Sequence, residues 1–118
     1  MNSEGAIDRG GDVLNYCRLN SMTIQAWSPF QMPNWQGCFI DSEKYPKLNE
    51  ELQVLAEQYG VSKTTIATAW ILRHPAGMQV VTGTASESRL LEIMKAEKVQ
   101  LSRQEWYRLY LAAGHILP

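Results

Sequence analysis

Apolar residues along this chain fall at helical spacing over its second half and into short β-favouring runs at two places. Leu48, Leu52, Leu55 and Tyr59 follow Pro46 at offsets of four, three and four, predicting a helix that starts at the proline and ends at Gly60. Ser62 can cap the next helix. Its Ile66, Ala67, Ala69, Trp70, Ile71 and Leu72 cover more than one face before Pro75 and Gly77 stop it, so it should be packed on several sides. Another helix is expected from Ser86 to about Lys98. The last helix carries the clearest local signal. Ser102 and Glu105 form a capping box, Leu101 and Trp106 occupy hydrophobic-staple positions, and Trp106, Leu109, Tyr110 and Ala113 mark the buried stripe.

The first half is less periodic. Met1 to Gly11 is polar and glycine-bearing and reads as a loop or frayed end. Asp12 can cap a short helix with Val13, Leu14 and Cys17 inward. A strand begins near Met22 and breaks at Pro29. Gln31 to Tyr45 reads as a long loop anchored by Trp35 and Phe39, and such loops are more often lids or binding loops than spacers. Met78 to Val81 has the pattern of a strand buried on both sides in a parallel sheet. The order of elements is therefore α/β, with parallel pairing through a right-handed crossover. Two strands leave open edges and cover these helices poorly, so residues 1–118 are expected to form a single incomplete domain belonging to something larger.

At 118 residues, 45% hydrophobic and 19% charged, the chain has ordinary globular composition, and it could bury a core of its own. Its net charge of -1 gives no electrostatic case for nucleic acid or an anionic membrane. No apolar signal core or membrane-length run is present, so a cytoplasmic protein is expected. Cys17 and Cys38 have no Cys-x-x-Cys pairing or nearby His to complete a metal site, and are expected to be reduced and packed.

Two segments can carry chemistry. Thr23 to Phe30 and Val80 to Arg89 are strand-to-loop junctions that end in hydroxyls and backbone amides, and the second opens onto a helix whose first N–H groups attract anions. Arg89 adds a planar guanidinium suited to a phosphate monoester, although it could instead pair with Glu87 or Glu92. A competing motif runs from Leu55 to Ile66, where Ala56, Gly60, Val61, Ser62 and Ile66 have the spacing of a helix-turn-helix. Its second helix is too apolar to read bases, with basic residues only at Lys63 and Arg73. His74 and His115 have no partner that suggests a catalytic triad.

The run Ile24 to Phe30, the helical Thr65 to Leu72, and Val80-Val81-Thr82-Gly83-Thr84 followed by Arg89, Leu90 and Glu92 resemble, in order and spacing, the C-terminal part of aldo-keto reductases. The resemblance extends from about Val13 to Trp106. It implies part of a (β/α)8 barrel, in which the two strands look like the seventh and eighth, and barrels of this kind place a phosphate site after those strands. It also implies NADP(H) as cofactor. Trp27 falls where the family stacks an aromatic residue on the nicotinamide, and Ser28 and Phe30 fall in the segment around the pyrophosphate. Thr84 and Arg89 fall where the phosphate of the adenosine ribose is gripped, and Glu92 lies near the adenine.

Two departures stand out, since many members have Lys where this chain has Gly83 and Asn where it has Ile93. The family's catalytic Asp, Tyr, Lys and His come from the first half of the barrel, which this chain does not match, so no residue here inherits those roles. The expected function is the cofactor-binding side of an enzyme that reduces aldehydes or ketones, inactive alone. The alternatives are a non-catalytic truncated protein or one that complements an N-terminal half or self-associates. A helix-turn-helix DNA-binding module ranks below these.

Overall fold

Ser62 and Ser102 each accept a hydrogen bond from a backbone N–H three residues on, Thr65 at 3.2 Å and Glu105 at 3.2 Å, so two helices start where their caps stand. At Ser102 the Glu105 carboxylate also accepts from the Ser102 N–H at 2.7 Å, which completes the capping box. The structure, a computed structural model, describes residues 11–117, and all but the last residue of the loop expected over residues 1–11 lies outside them. Its elements are α1 (Asp12–Leu19), β1 (Gln25–Trp27), a 3-10 turn (Pro33–Trp35), α2 (Pro46–Tyr59), α3 (Lys63–Leu72), β2 (Gln79–Val81), α4 (Glu87–Lys95) with a 3-10 turn (Ala96–Lys98), and α5 (Arg103–Ala112). Gly60 closes α2 with φ +65, a conformation open to glycine at no steric cost.

Helix α3 lies at the centre. Thr65, Ile66, Ala67, Thr68, Ala69 and Ile71 are all buried, with α2 on one side, α4 and its following turn on another, and β2 on a third. The core is Leu52, Leu55 and Ala56 of α2, Ile66, Ala67 and Ala69 of α3, and Ala96, Leu101 and Leu109 beyond. Each large aliphatic side chain buried there contributes about 1.5–3 kcal/mol. Trp70 and Trp106 stack with centroids 4.6 Å apart and planes 7° from parallel. Each indole N–H donates to the other residue's backbone carbonyl, at 3.0 and 2.9 Å. Enclosure of α3 by these helices leaves it no free face with which to enter a DNA groove, which removes the geometric basis of the helix-turn-helix reading.

β1 and β2 pair in parallel, Gln25 with Gln79, Ala26 with Val80 and Trp27 with Val81, and form a two-stranded sheet. The Gln25 amide donates to the Gln79 side-chain oxygen across the pair at 3.1 Å. The fold is thus α/β with a small parallel sheet joined through α2 and α3.

Three expectations change. The strand expected from Met22 shortens to Gln25–Trp27. β2 is not buried on both sides: Gln79 is exposed and Val81 is 41% exposed, because among the described residues the sheet has no third strand or second helix layer to cover it. α1 buries no residue, Leu14 and Cys17 being only half-buried and Val13 lying exposed. It is also led in by Gly11 at φ 78 rather than capped by Asp12, which is its first residue and favours the helix dipole there. Among the described residues no helix is long and apolar enough to cross a membrane.

Candidate functional site

Parallel pairing of Trp27 with Val81 means that both strands leave the sheet at the same end. Ser28 and Phe30 therefore emerge beside the turn that carries Thr84 into α4, bringing the two sequence-predicted segments together. At that end Trp27 is 63% exposed and meets Trp35, centroids 5.9 Å apart and tilted by 43°. Phe30 packs edge-on against Phe39 at 6.3 Å. The chain between them makes a small hairpin: Phe39 N–H donates to the Phe30 carbonyl at 3.0 Å, Met32 N–H donates to the Gly37 carbonyl at 2.7 Å, and Gln31 bridges Cys38. Ser28, Asn34, Trp35 and Asp41 all have positive φ, from 46° to 64°. Four non-glycine residues in that region within one loop represent stored backbone strain, which concentrates at ligand-handling sites.

Thr84 shapes the other half. Its hydroxyl oxygen accepts from the Ser86 N–H at 3.1 Å and keeps its own proton for another acceptor. Ser86 precedes α4 without capping it by its side chain, so the first N–H groups of α4 are left for water or an anion. Arg89 is exposed and pairs with neither Glu87 nor Glu92, so its guanidinium is free among the described residues. Gly83 does not need its freedom here, since its φ is ordinary and an added Cβ would meet nothing within 4 Å.

Glu92, one turn beyond Arg89, lines a cavity of about 440 Å³ with Asp41, Gln53, Glu57, Lys63 and Thr64 among its other walls. Several residues that build this cavity carry no signal in the sequence. The hydroxyl of Thr65, fully buried, donates to the Glu92 carbonyl at 2.8 Å and ties the first turn of α3 to α4. Asn49 gathers the end of the loop: its side-chain amide donates to the carbonyls of Phe39 at 2.9 Å, Tyr45 at 3.0 Å and Ser42 at 3.3 Å, while its oxygen accepts from the Asp41 N–H at 2.7 Å. Asp41 so placed forms an ion pair with Lys63. Only Asn49's position in the first turn of α2, just after the loop, hints at its role.

The titratable groups elsewhere serve the fold. Tyr59 donates to Glu105 at 2.7 Å, and this bond, with burial, raises its phenol above the ordinary value, so it is not poised as an acid near neutrality. Burial pushes the Glu105 carboxyl up, but bonds from the Ser102 backbone, Tyr59, Gln58 and the Ser102 hydroxyl outweigh it and hold the group below its ordinary value. His74 accepts from the Ala76 N–H at 3.1 Å; burial, then the charge of Arg18, lowers it. Cys17 and Cys38 are free thiols, Cys38 exposed rather than packed because it lies on the hairpin rim.

A family profile described as the aldo/keto reductase family matches residues 9–111. The chain is 34% identical over 100 residues to a 6-dehydroglucose reductase of Agrobacterium fabrum, covering 85% of this chain and 32% of that protein. It is 31% identical over 106 residues to a 6-dehydroglucose reductase of Novosphingobium aromaticivorans, covering 89% of this chain and 34% of that protein. Among solved structures, the thermostable aldo-keto reductase Tm1743, in complex with the inhibitor epalrestat, superposes with a TM-score of 0.69 at 26% identity, over 88% of this chain and 34% of that one. The chain thus spans about a third of the length of the curated relatives it matches.

Proposed function

The chain belongs to the aldo/keto reductase family, and on that footing we propose that it is the cofactor-binding side of an NADP(H)-dependent oxidoreductase. The observation that carries the proposal is the convergence, at the C-terminal end of the two parallel strands, of an exposed aromatic face at Trp27, a helix start without a side-chain cap and an Arg89 that is unpaired among the described residues. The arrangement fits a dinucleotide phosphate. Trp27 offers its ring to the nicotinamide, with Ser28 and Phe30 beside the pyrophosphate. Thr84 and Arg89 hold the ribose phosphate through a hydroxyl and a fork of N–H donors, and Glu92 meets the adenine in the adjoining cavity. Arg89 favours the phosphorylated cofactor over NAD(H), being the one Lys or Arg between Val80 and Leu90.

When bound, the dinucleotide supplies hydride to a carbonyl carbon. This chain's residues orient it and exclude water around it, and the proton donor belongs to the part of the barrel that the chain does not match. We propose that β1 and β2 are the seventh and eighth strands of that barrel. Two relatives are named for 6-dehydroglucose, so an oxidised sugar is the carbonyl substrate proposed for the parent enzyme, with the Trp35 and Phe39 loop as part of its wall. The free thiols suit a cytoplasmic setting.

The test is an NADPH titration of the purified protein followed by tryptophan fluorescence, since Trp27 is at the site. Saturable quenching that weakens with NADH, and weakens in Arg89→Ala, is the expected result. Equal responses to NADPH and NADH in both proteins would overturn the phosphate assignment. A second reading, a protein that docks on a complementary N-terminal portion, is favoured by the open sheet edges and by Val13, Leu19 and Met22, which are 57%, 85% and 53% exposed. Co-expression with residues of a relative that precede the matched region should restore carbonyl-dependent NADPH oxidation. The chain alone should show none.

A further inference from the structure

Beside Glu92 the cavity is lined by three carboxylates, Asp41, Glu57 and Glu92, and by one cation, Lys63. Such a lining disfavours a phosphate. It suits a neutral group that presents a hydrogen-bond donor next to an acceptor, and adenine has this pattern, its amino group lying beside ring nitrogens. Glu92 can accept from the amino group, and Lys63 is the one cationic donor among the residues that line the cavity beside it. We propose that Lys63, held in place by Asp41, supplies that donor to an adenine ring nitrogen and so determines recognition of the base end of the dinucleotide.

Three connections set this placement. Ser62 caps α3, which makes Lys63 the first residue of the helix, on the side of the loop. Thr65 ties that same turn to the Glu92 carbonyl at 2.8 Å, so Lys63 and Glu92 border one cavity rather than two. Asn49 holds the Asp41 N–H at 2.7 Å with Asp41 at φ 64, which delivers the carboxylate to the Lys63 ammonium. The ammonium carries three donor hydrogens, and a single carboxylate leaves some of them for a ligand. The Lys63 side chain is 22% exposed against 70% for Asp41, so the cation is the more shielded member of a pair whose two residues both line the cavity. A half-shielded cation fixed by one partner loses little freedom when a base arrives.

This inference rests on the dinucleotide reading above, and the experiment separates the two. NADPH and reduced nicotinamide mononucleotide, which lacks the adenosine, are titrated calorimetrically into the wild type, Lys63→Met, Lys63→Gln and Arg89→Ala. The expected result is a loss of about tenfold in NADPH affinity for Lys63→Met, with a smaller loss for Lys63→Gln, which keeps a donor. Mononucleotide affinity should be unchanged. Circular dichroism and thermal melting of both Lys63 variants check that each is folded. NADPH binding that responds to Arg89→Ala but not to either Lys63 variant would overturn the Lys63 assignment alone. An equal loss for mononucleotide and NADPH would also overturn it, as a general structural effect. Failure of the wild type to bind NADPH would overturn the dinucleotide reading and this inference with it.

Discussion

Replacing Thr65 with valine tests whether the cavity wall is a tertiary construction. The substitution keeps the β-branched shape in a site with no exposure and removes the hydroxyl that donates to the Glu92 carbonyl at 2.8 Å. The net loss of one such bond is about 1 kcal/mol, and a carbonyl left desolvated adds a similar amount, partly offset by the buried methyl, for a total of about 1–2 kcal/mol. With a urea m-value of about 2 kcal/mol/M, the unfolding midpoint should fall by about 0.5–1 M. Thr68→Val is the matched control: it is equally buried at 1% exposure, but its hydroxyl donates only to the Thr64 carbonyl within its own helix. A bond of that local kind adds little, so the midpoint of Thr68→Val should move by about 0.25 M or less. Urea titrations followed by the fluorescence of Trp70 and Trp106 compare the two. Equal midpoints for both variants, with equal m-values, would refute the claim that Thr65 staples α3 to α4.

Acid should weaken the contact between α2 and the start of α5, because Glu105 titrates below its ordinary value when folded. A depressed carboxylate contributes stability above its unfolded pKa of about 4.3 that is lost as pH falls through the lower folded value, so Glu105→Gln should flatten the acid limb of a stability profile. Tyr59 is raised, so its contribution holds below about pH 10 and fades as pH climbs through the higher folded value, a loss absent in Tyr59→Phe. Trp106→Phe removes the indole N–H from the Trp70 carbonyl, one of the last four in α3, and should cost about 1–3 kcal/mol in chemical denaturation. Unchanged stability would mean that water replaces the indole. Gly83→Lys places a cation in open space beside Thr84 and should strengthen NADPH binding about tenfold without strengthening NADH binding; equal gains for both would show that the added charge does not meet the ribose phosphate.

Most of what depends on residues a turn apart was legible in the sequence, the expected Asp12 cap being an exception. Pro46, Gly60, Ser62 and the Ser102–Glu105 box bound their helices as their local chemistry dictates, because caps and glycine turns are satisfied by atoms within three or four residues. The apolar wrap of Ile66 to Leu72 likewise announced a central helix. The two strand-to-loop junctions were also visible, and they contain Trp27, Ser28, Phe30, Thr84 and Arg89, which the proposal assigns to the cofactor together with Glu92. Burial of the strands was not, since an apolar run records what a strand needs and not whether a neighbour is present to meet it. Val81 remains exposed for that reason. Only the tertiary structure decided that Asp41, Lys63 and Glu92 share one cavity, because the loop, α3 and α4 meet there through contacts such as the Asp41–Lys63 pair and the Thr65–Glu92 bond, whose partners are 22 and 27 residues apart. A hydrogen bond between distant residues leaves no period or spacing in the sequence, and its partners are chosen by how the helices pack.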